Sequence, residues 1–208
     1  MLGLVRPLGG GVRSGDIYRM TFSSYILIGL GLIALYAIFI FNRLVALRQA
    51  WKRAFADIDV QLKLRQDLVP NLVEAVKGYA AHEHAVFIEV TEARAAAMSA
   101  TSVGEKAAAE GALSGALTKL LAVAENYPQL KASENFLKLQ SDLGDIENKI
   151  AAARRFLNSA VAEYNAAIQQ FPAVLLSGPL GFGAAKMFEL DETERVTTRN
   201  APKVNLSA

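Results

Sequence analysis

Apolar residues recur at steps of three and four along two long stretches of the chain. The first reads Leu44, Arg48, Trp51, Phe55, Ile58, Leu62, Arg65, Val69, Leu72, Val76, Tyr79. The second reads Phe136, Leu139, Leu143, Ile146, Ile150, Ala153, Leu157, Ala160, Tyr164, Ala167, Phe171. A mean step of about 3.5 residues is that of a helix whose seam keeps facing partner helices. At 1.5 Å per residue each run covers roughly 52 Å. A stripe this long does not hold bare in water, so the two runs predict the long members of an elongated helical bundle.

Breakers and caps divide the chain further. Pro70 removes a backbone hydrogen bond and crowds the preceding turn, which predicts a kink or helix break near Leu68 or Val69. Ser102-Val-Gly-Glu105 has the form of a capping box and opens a third helix. That helix is rich in alanine (Ala107, Ala108, Ala109, Ala112, Ala116) and ends at Tyr127-Pro128. Ser133 suits the N-cap of the last long helix, and Pro172 stops it. Short connections favour antiparallel neighbours, so residues 43–172 read as an antiparallel four-helix bundle in an all-α protein. From Ala173 the helical period is lost. Residues 173–208 read as an irregular tail, with Phe182 and Phe188 as its docking anchors.

Ahead of the bundle the pattern changes kind. Between Arg19 and Arg43 there is no charged residue, and from Phe22 to Phe41 twelve positions are Leu, Ile or Phe. Their insertion into a bilayer is favourable by roughly 4 to 7 kcal/mol, an upper figure because end positions count for less. Residues 20–42 therefore read as a single transmembrane helix. The run ends in Phe-Ile-Phe-Asn-Arg, a poor signal-peptidase site, so the segment is expected to be retained. Arg43, Arg48, Lys52 and Arg53 follow it before the first acid, Asp57, while Arg6, Arg13, Asp16 and Arg19 precede it. The bias in basic residues favours a cytoplasmic bundle and C-terminus. Residues 1–19, with Gly9-Gly10-Gly11 and no periodicity, read as a disordered extension; translation starting at Met20 would make the bias decisive. No Gly or Pro separates the span from the first stripe, so the two are expected to form one nearly continuous rod.

Composition adds exclusions. There is no cysteine, hence no disulfide framework, and a net charge of +2 does not argue for nucleic acid. His82 and His84, two residues apart, point about 200° apart on a helix and do not chelate one metal there. No Glu-x-x-His of the di-iron bundles occurs, and there is no Gly-x-Ser-x-Gly. Gly178-Pro-Leu-Gly-Phe-Gly183 lacks the Gly-Lys-Ser/Thr ending of a phosphate loop. Asn205-Leu-Ser207 is a glycosylation sequon that a cytoplasmic tail would leave idle. No catalytic residue, cofactor or metal ligand is therefore assigned.

The polar residues on and beside the seams are the remaining candidates. Arg65 lies on the first stripe, with Asp59, Gln61, Asp67, Asn71 and Glu74 around it; Asn148, Arg155, Asn158 and Asn165 run beside the second. Buried polar groups must be paired, because an unsatisfied one costs about 1–3 kcal/mol. In one reading Arg65 and Arg155 are salt-bridged inside the bundle and set its register. In another these residues form a contact face for self-assembly or a partner. An enzyme would need Asp59, Arg65, Asp67 and Glu74 to converge.

The stretch from Asp59 to Glu83, which includes Arg-Gln-Asp-Leu-Val-Pro-Asn-Leu-Val, closely resembles the signature of the LemA family of bacterial membrane proteins. So do Glu134-Asn-Phe-Leu-Lys-Leu-Gln140, the stretch from Glu147 to Asn158, Tyr164-Asn165, Phe171-Pro172 and the closing Ala201-Pro-Lys-Val204. The leader before Met20 is longer than such proteins usually show. The resemblance implies an N-terminal anchor, a short external end and a cytoplasmic antiparallel bundle; it supplies no activity, although one member is tied to magnetosome membranes. The expected role is a non-enzymatic scaffold or adaptor of the bacterial inner membrane, self-associating and bound to other membrane proteins. The alternative is a small-ligand sensor that binds a metabolite between helices and signals through the span.

Overall fold

The computed structural model describes residues 14–189, with side chains from residue 23 onward. Over these residues the chain is all-α and contains no strand. Its helices are α1 (Ser14–Lys77), α2 (His84–Ser99), α3 (Val103–Glu125), α4 (Pro128–Lys131), α5 (Glu134–Gln169) and α6 (Ala173–Ser177). The chain divides into two compact units, Met1–Val45 and Ala46–Ala208.

In the first unit α1 turns Tyr25, Leu27, Ile33, Leu35 and Phe39 outward. α1 and α3 are both long and apolar enough to cross a membrane, but they use that character differently. The most apolar window of α1 is 6% buried, whereas that of α3 is 39% buried. α3 is a core helix, carrying Leu113, Leu117 and Leu120 into the interior. The disordered reading of the leader is corrected where it is described: α1 begins at Ser14, six residues before Met20. Extending a nucleated helix adds one hydrogen bond per residue fixed, so a short polar lead-in follows the helix it joins. Residues 1–13, with the glycine run, lie outside the described residues.

In the second unit the apolar stripes pack into two clusters. One joins Val69, Leu72 and Val76 of α1 to Phe87 and Val90 of α2, Leu113 and Leu117 of α3, and Phe136 and Leu143 of α5. The other joins Ala54, Ile58 and Leu62 of α1 to Ala107 of α3, Ile150, Leu157 and Val161 of α5, and Phe188. Along α5 the buried residues Phe136, Leu143, Ile150, Leu157 and Tyr164 are spaced by seven, the heptad repeat read from the sequence. Tyr79 and Phe171, at the ends of the two stripes, are exposed because both helices stop before reaching them. In the turn after Lys77 it is Ala80 that is buried instead.

Pro70 does not break α1, which runs on to Lys77; the expected break is corrected. Without an N–H, Pro70 leaves the carbonyl of Gln66 without its helical donor. Arg94 of α2 supplies one, its Nε donating to Gln66 O at 2.7 Å. The first turn among the described residues falls instead at residues 78–83. The capping box forms as the sequence implies. Glu105 N donates to Ser102 Oγ at 3.2 Å, and Ser102 N donates to Glu105 Oε2 at 3.0 Å. The bonds that the Glu105 carboxylate accepts, from Ser102 N first and then from Thr101 N and Oγ1, hold it below its ordinary pKa. Ser133 occupies the N-cap of α5 but makes no side-chain capping bond.

The tail is also more ordered than its pattern suggests. α6 is a single helical turn, too short to show a period, in which Ser177 Oγ donates to Ile168 O at 3.1 Å. Beyond it residues 178–189 are irregular yet docked, with Phe182 and Phe188 buried. The remaining tail, including Asp191, Glu192, Glu194, Ala201-Pro-Lys-Val204 and the sequon, lies outside the described residues.

The bond from Arg94 is testable by a mutant cycle. Arg94→Met should cost about 1 kcal/mol, measured by chemical unfolding of the full chain in detergent. In a Pro70→Ala background, where the helix supplies its own donor, the same change should cost little. Equal costs in both backgrounds would refute the pairing.

Candidate functional site

On each of three helices a polar residue interrupts the apolar seam at the same level. Arg65 lies between Leu62 and Val69 on α1, Glu110 between Ala107 and Leu113 on α3, and Glu147 between Leu143 and Ile150 on α5. They meet as one layer between the two apolar clusters. Arg65 is 2% exposed. Its Nη1 donates to Ser114 Oγ and to Glu147 Oε1, both at 2.7 Å. Its Nη2 donates to Glu110 O at 3.1 Å and to Glu110 Oε2. Gln66 donates to the other Glu110 oxygen, and Ser114 Oγ donates to Glu110 O at 3.0 Å.

Burial alone would lower the pKa of Arg65. The charges of Glu147 and Glu110, and then their hydrogen bonds, outweigh that and hold the guanidinium above its ordinary range. All four Nη hydrogens are engaged by the chain itself. The layer links α1, α3 and α5 through one buried guanidinium, and separating Arg65 from Glu110 would leave a buried charge uncompensated.

The other candidates disperse. Asp59 pairs across to Lys106 of α3, with both carboxylate oxygens within 2.7 Å of Nζ, and Lys106 also lies 5.3 Å from the Phe55 ring centre. Gln61 has a buried amide oxygen with no hydrogen-bond partner among the described residues. Asp67, Asn71, Asn148 and Arg155 are exposed, so the reading of Arg155 as an internal strut is corrected: it lies off the α5 seam. Glu74 is exposed and sits 3.7 Å from Lys77. Asp59 and Asp67 line one cleft of about 310 Å³, together with Lys106. Arg65 lines a different one of about 340 Å³ among α1, α3 and α5, and Glu74 lines neither. The four residues an enzyme would require do not converge. Among the described residues no group of three or more His, Asp or Glu could hold a metal ion.

Asn158 and Asn165 have a different use: they grip the tail. Asn165 donates to Ala185 O at 2.9 Å and accepts from Ala185 N at 2.8 Å. Asn158 does the same with Phe188, at 3.1 and 2.8 Å. Seven helical residues rise about 10.5 Å and three extended residues about 10 Å, so the two spacings match. Tyr164 Oη donates to Gly183 O at 2.9 Å. At Gly181 the chain adopts φ 71, a conformation that favours glycine, and its carbonyl accepts from Arg48. Arg48 also covers the Phe182 ring at 4.1 Å. Glu110 and Glu147 were missed from sequence, although Glu110 stands on the apolar spacing of α3, a visible signal.

Arg65→Met should destabilise the full chain by about 3–5 kcal/mol, because it leaves Glu110 buried without its cation. Adding Glu110→Leu should recover most of that loss in the same unfolding measurement; no loss in the single variant would remove the strut. Asn158→Ala and Asn165→Ala each delete two backbone bonds, worth about 1–3 kcal/mol together. Limited proteolysis within residues 178–189 should therefore rise roughly 10- to 100-fold for each. Unchanged cleavage would mean that the clamps do not hold the tail.

The chain matches the LemA family over residues 54–206, a span that includes the polar layer and both asparagine clamps. It is 24% identical over 174 residues to Magnetosome protein MamQ of Magnetospirillum gryphiswaldense, covering 71% of this chain and 64% of that protein. It is likewise 24% identical over 175 residues to Magnetosome protein MamQ 2 and MamQ 1 of Paramagnetospirillum magneticum, covering 72% of this chain and 64% of each. The chain thus spans about 64% of the length of these curated relatives. With the family match covering well over half of its residues, the chain belongs to the LemA family.

Proposed function

We propose that the protein is a non-enzymatic scaffold or adaptor of the bacterial inner membrane, anchored by the uncharged part of α1 and self-associating. In this reading the second unit is an antiparallel four-helix bundle of α1, α2, α3 and α5. The bundle and C-terminus lie in the cytoplasm, on the side of Arg43, Arg48, Lys52 and Arg53. Its partners are the bilayer, further copies and other membrane proteins, and it needs no cofactor.

The observation that carries this reading is the polar layer around Arg65. Every Nη hydrogen of Arg65 is engaged by the chain's own groups, so its largest buried charge cluster is built to hold helices. Relatives named as magnetosome proteins fit the organisation of a bacterial structure better than turnover of a substrate.

A second reading, a small-ligand sensor, draws on the cleft of about 340 Å³, which Arg154 and Thr118 line beside the layer. Crosslinking in native membranes, with identification of captured proteins and size analysis of the extracted complex, separates the two. A scaffold should run above monomer mass and capture recurrent membrane proteins. Monomers without captured partners, together with stabilisation by a metabolite, would overturn it in favour of the sensor.

A further inference from the structure

α6 and its flanks turn large apolar side chains outward, whereas Phe182 and Phe188 further along the tail turn in. Phe171 is 81% exposed and Leu175 65%, with Val174 and Leu180 exposed beside them, while Ala173, Ser177 and Phe182 are buried. Scattered exposed apolar residues are ordinary, but four within one short loop make a patch.

The stretches around the patch carry a small excess of basic residues. Residues 46–57 and 163–189 include Arg48, Lys52, Arg53 and Lys186, against Asp57, Glu163 and Glu189 at their edges. Contacts join these two stretches: Arg48 covers Phe182 at 4.1 Å, and the rings of Trp51 and Tyr164 are 6.3 Å apart. Arg48 is also six residues beyond Asn42, where the uncharged run ends. Chain length alone keeps it within about 20 Å of that point.

We propose that the α6 segment is an interfacial wedge. Phe171, Val174, Leu175 and Leu180 enter the headgroup–acyl boundary of the bilayer, and Lys52, Arg53 and Lys186 meet the phosphates of anionic lipids. An apolar face bordered by Lys and Arg is the chemistry that lies on an anionic membrane surface. A second copy suits the patch less well, because two basic ends would face each other. The proposal rests on the membrane-anchor reading of α1.

The chain has no cysteine, so one introduced thiol takes a unique label. Leu175→Cys and, separately, Phe171→Cys carry an environment-sensitive dye in the full chain, reconstituted into vesicles of phosphatidylcholine with or without phosphatidylglycerol. Leu137→Cys, about 48 Å from Gln169 along α5, is the control. The wedge predicts quenching by lipid-phase quenchers several-fold stronger at both α6 sites than at the control. It also predicts that phosphatidylglycerol strengthens this quenching and that Lys52→Glu with Arg53→Glu weakens it. Vesicle flotation is read in parallel. A chain that fails to float overturns the anchor and the wedge with it. A chain that floats while both α6 labels stay in water overturns the wedge alone. Dye burial that follows protein concentration and ignores lipid quenchers also overturns it, in favour of a second copy.

Discussion

Taking an arginine out of water is costed in several kcal/mol, and only close carboxylates and fully used donors offset it. Arg65 meets most of that demand with Glu110 and Glu147 from two other helices, all of its Nη donors being used while its buried Nε has no hydrogen-bond partner among the described residues. Apolar packing alone tolerates sliding, since one leucine fits a groove much as the next does. A charge layer does not slide, because a shift by a turn would strand the guanidinium beside Leu62 or Val69. The layer thus ties α1, α3 and α5 together by ion pairs, while the two apolar clusters contribute the bulk of the burial.

Other polar contacts follow the same logic of completing what the backbone leaves open. Arg94 answers the carbonyl left by Pro70, which lets α1 carry its stripe on to Val76. Asn158 and Asn165 answer the open N–H and C=O groups of an extended tail. In each case a side chain takes the place of a backbone partner, and an irregular element is joined to a regular one.

Much of the helical order was legible in the sequence because it is periodic. The stripes on α1 and α5, the heptad spacing from Phe136 to Tyr164, and the Ser102–Glu105 box all express local rules that need no knowledge of the partner. What was not legible depends on residues far apart in the chain. Pro70 carries a strong local signal to break a helix, and the residue that neutralises it comes from α2. Glu110 was in view on the α3 seam, but an acid among alanines reads as solvated until Arg65 is placed against it. The stripe beside the α5 seam was recognised as polar, whereas its true partner, the tail backbone, has no side-chain signature. Arg155 was read with Arg65 because both are arginines near a seam; only one of them is on it.

Phe188 belongs to two features at once. Its ring completes the second apolar cluster, and it also forms part of the wall of the cleft lined by Arg65 and Arg154. The shape of that hollow is therefore conditional on the tail being seated on α5. Linkage makes the dependence mutual. Any molecule that gains from touching Phe188 shifts the equilibrium toward the seated tail, and whatever draws the tail away weakens that molecule's hold by the same factor.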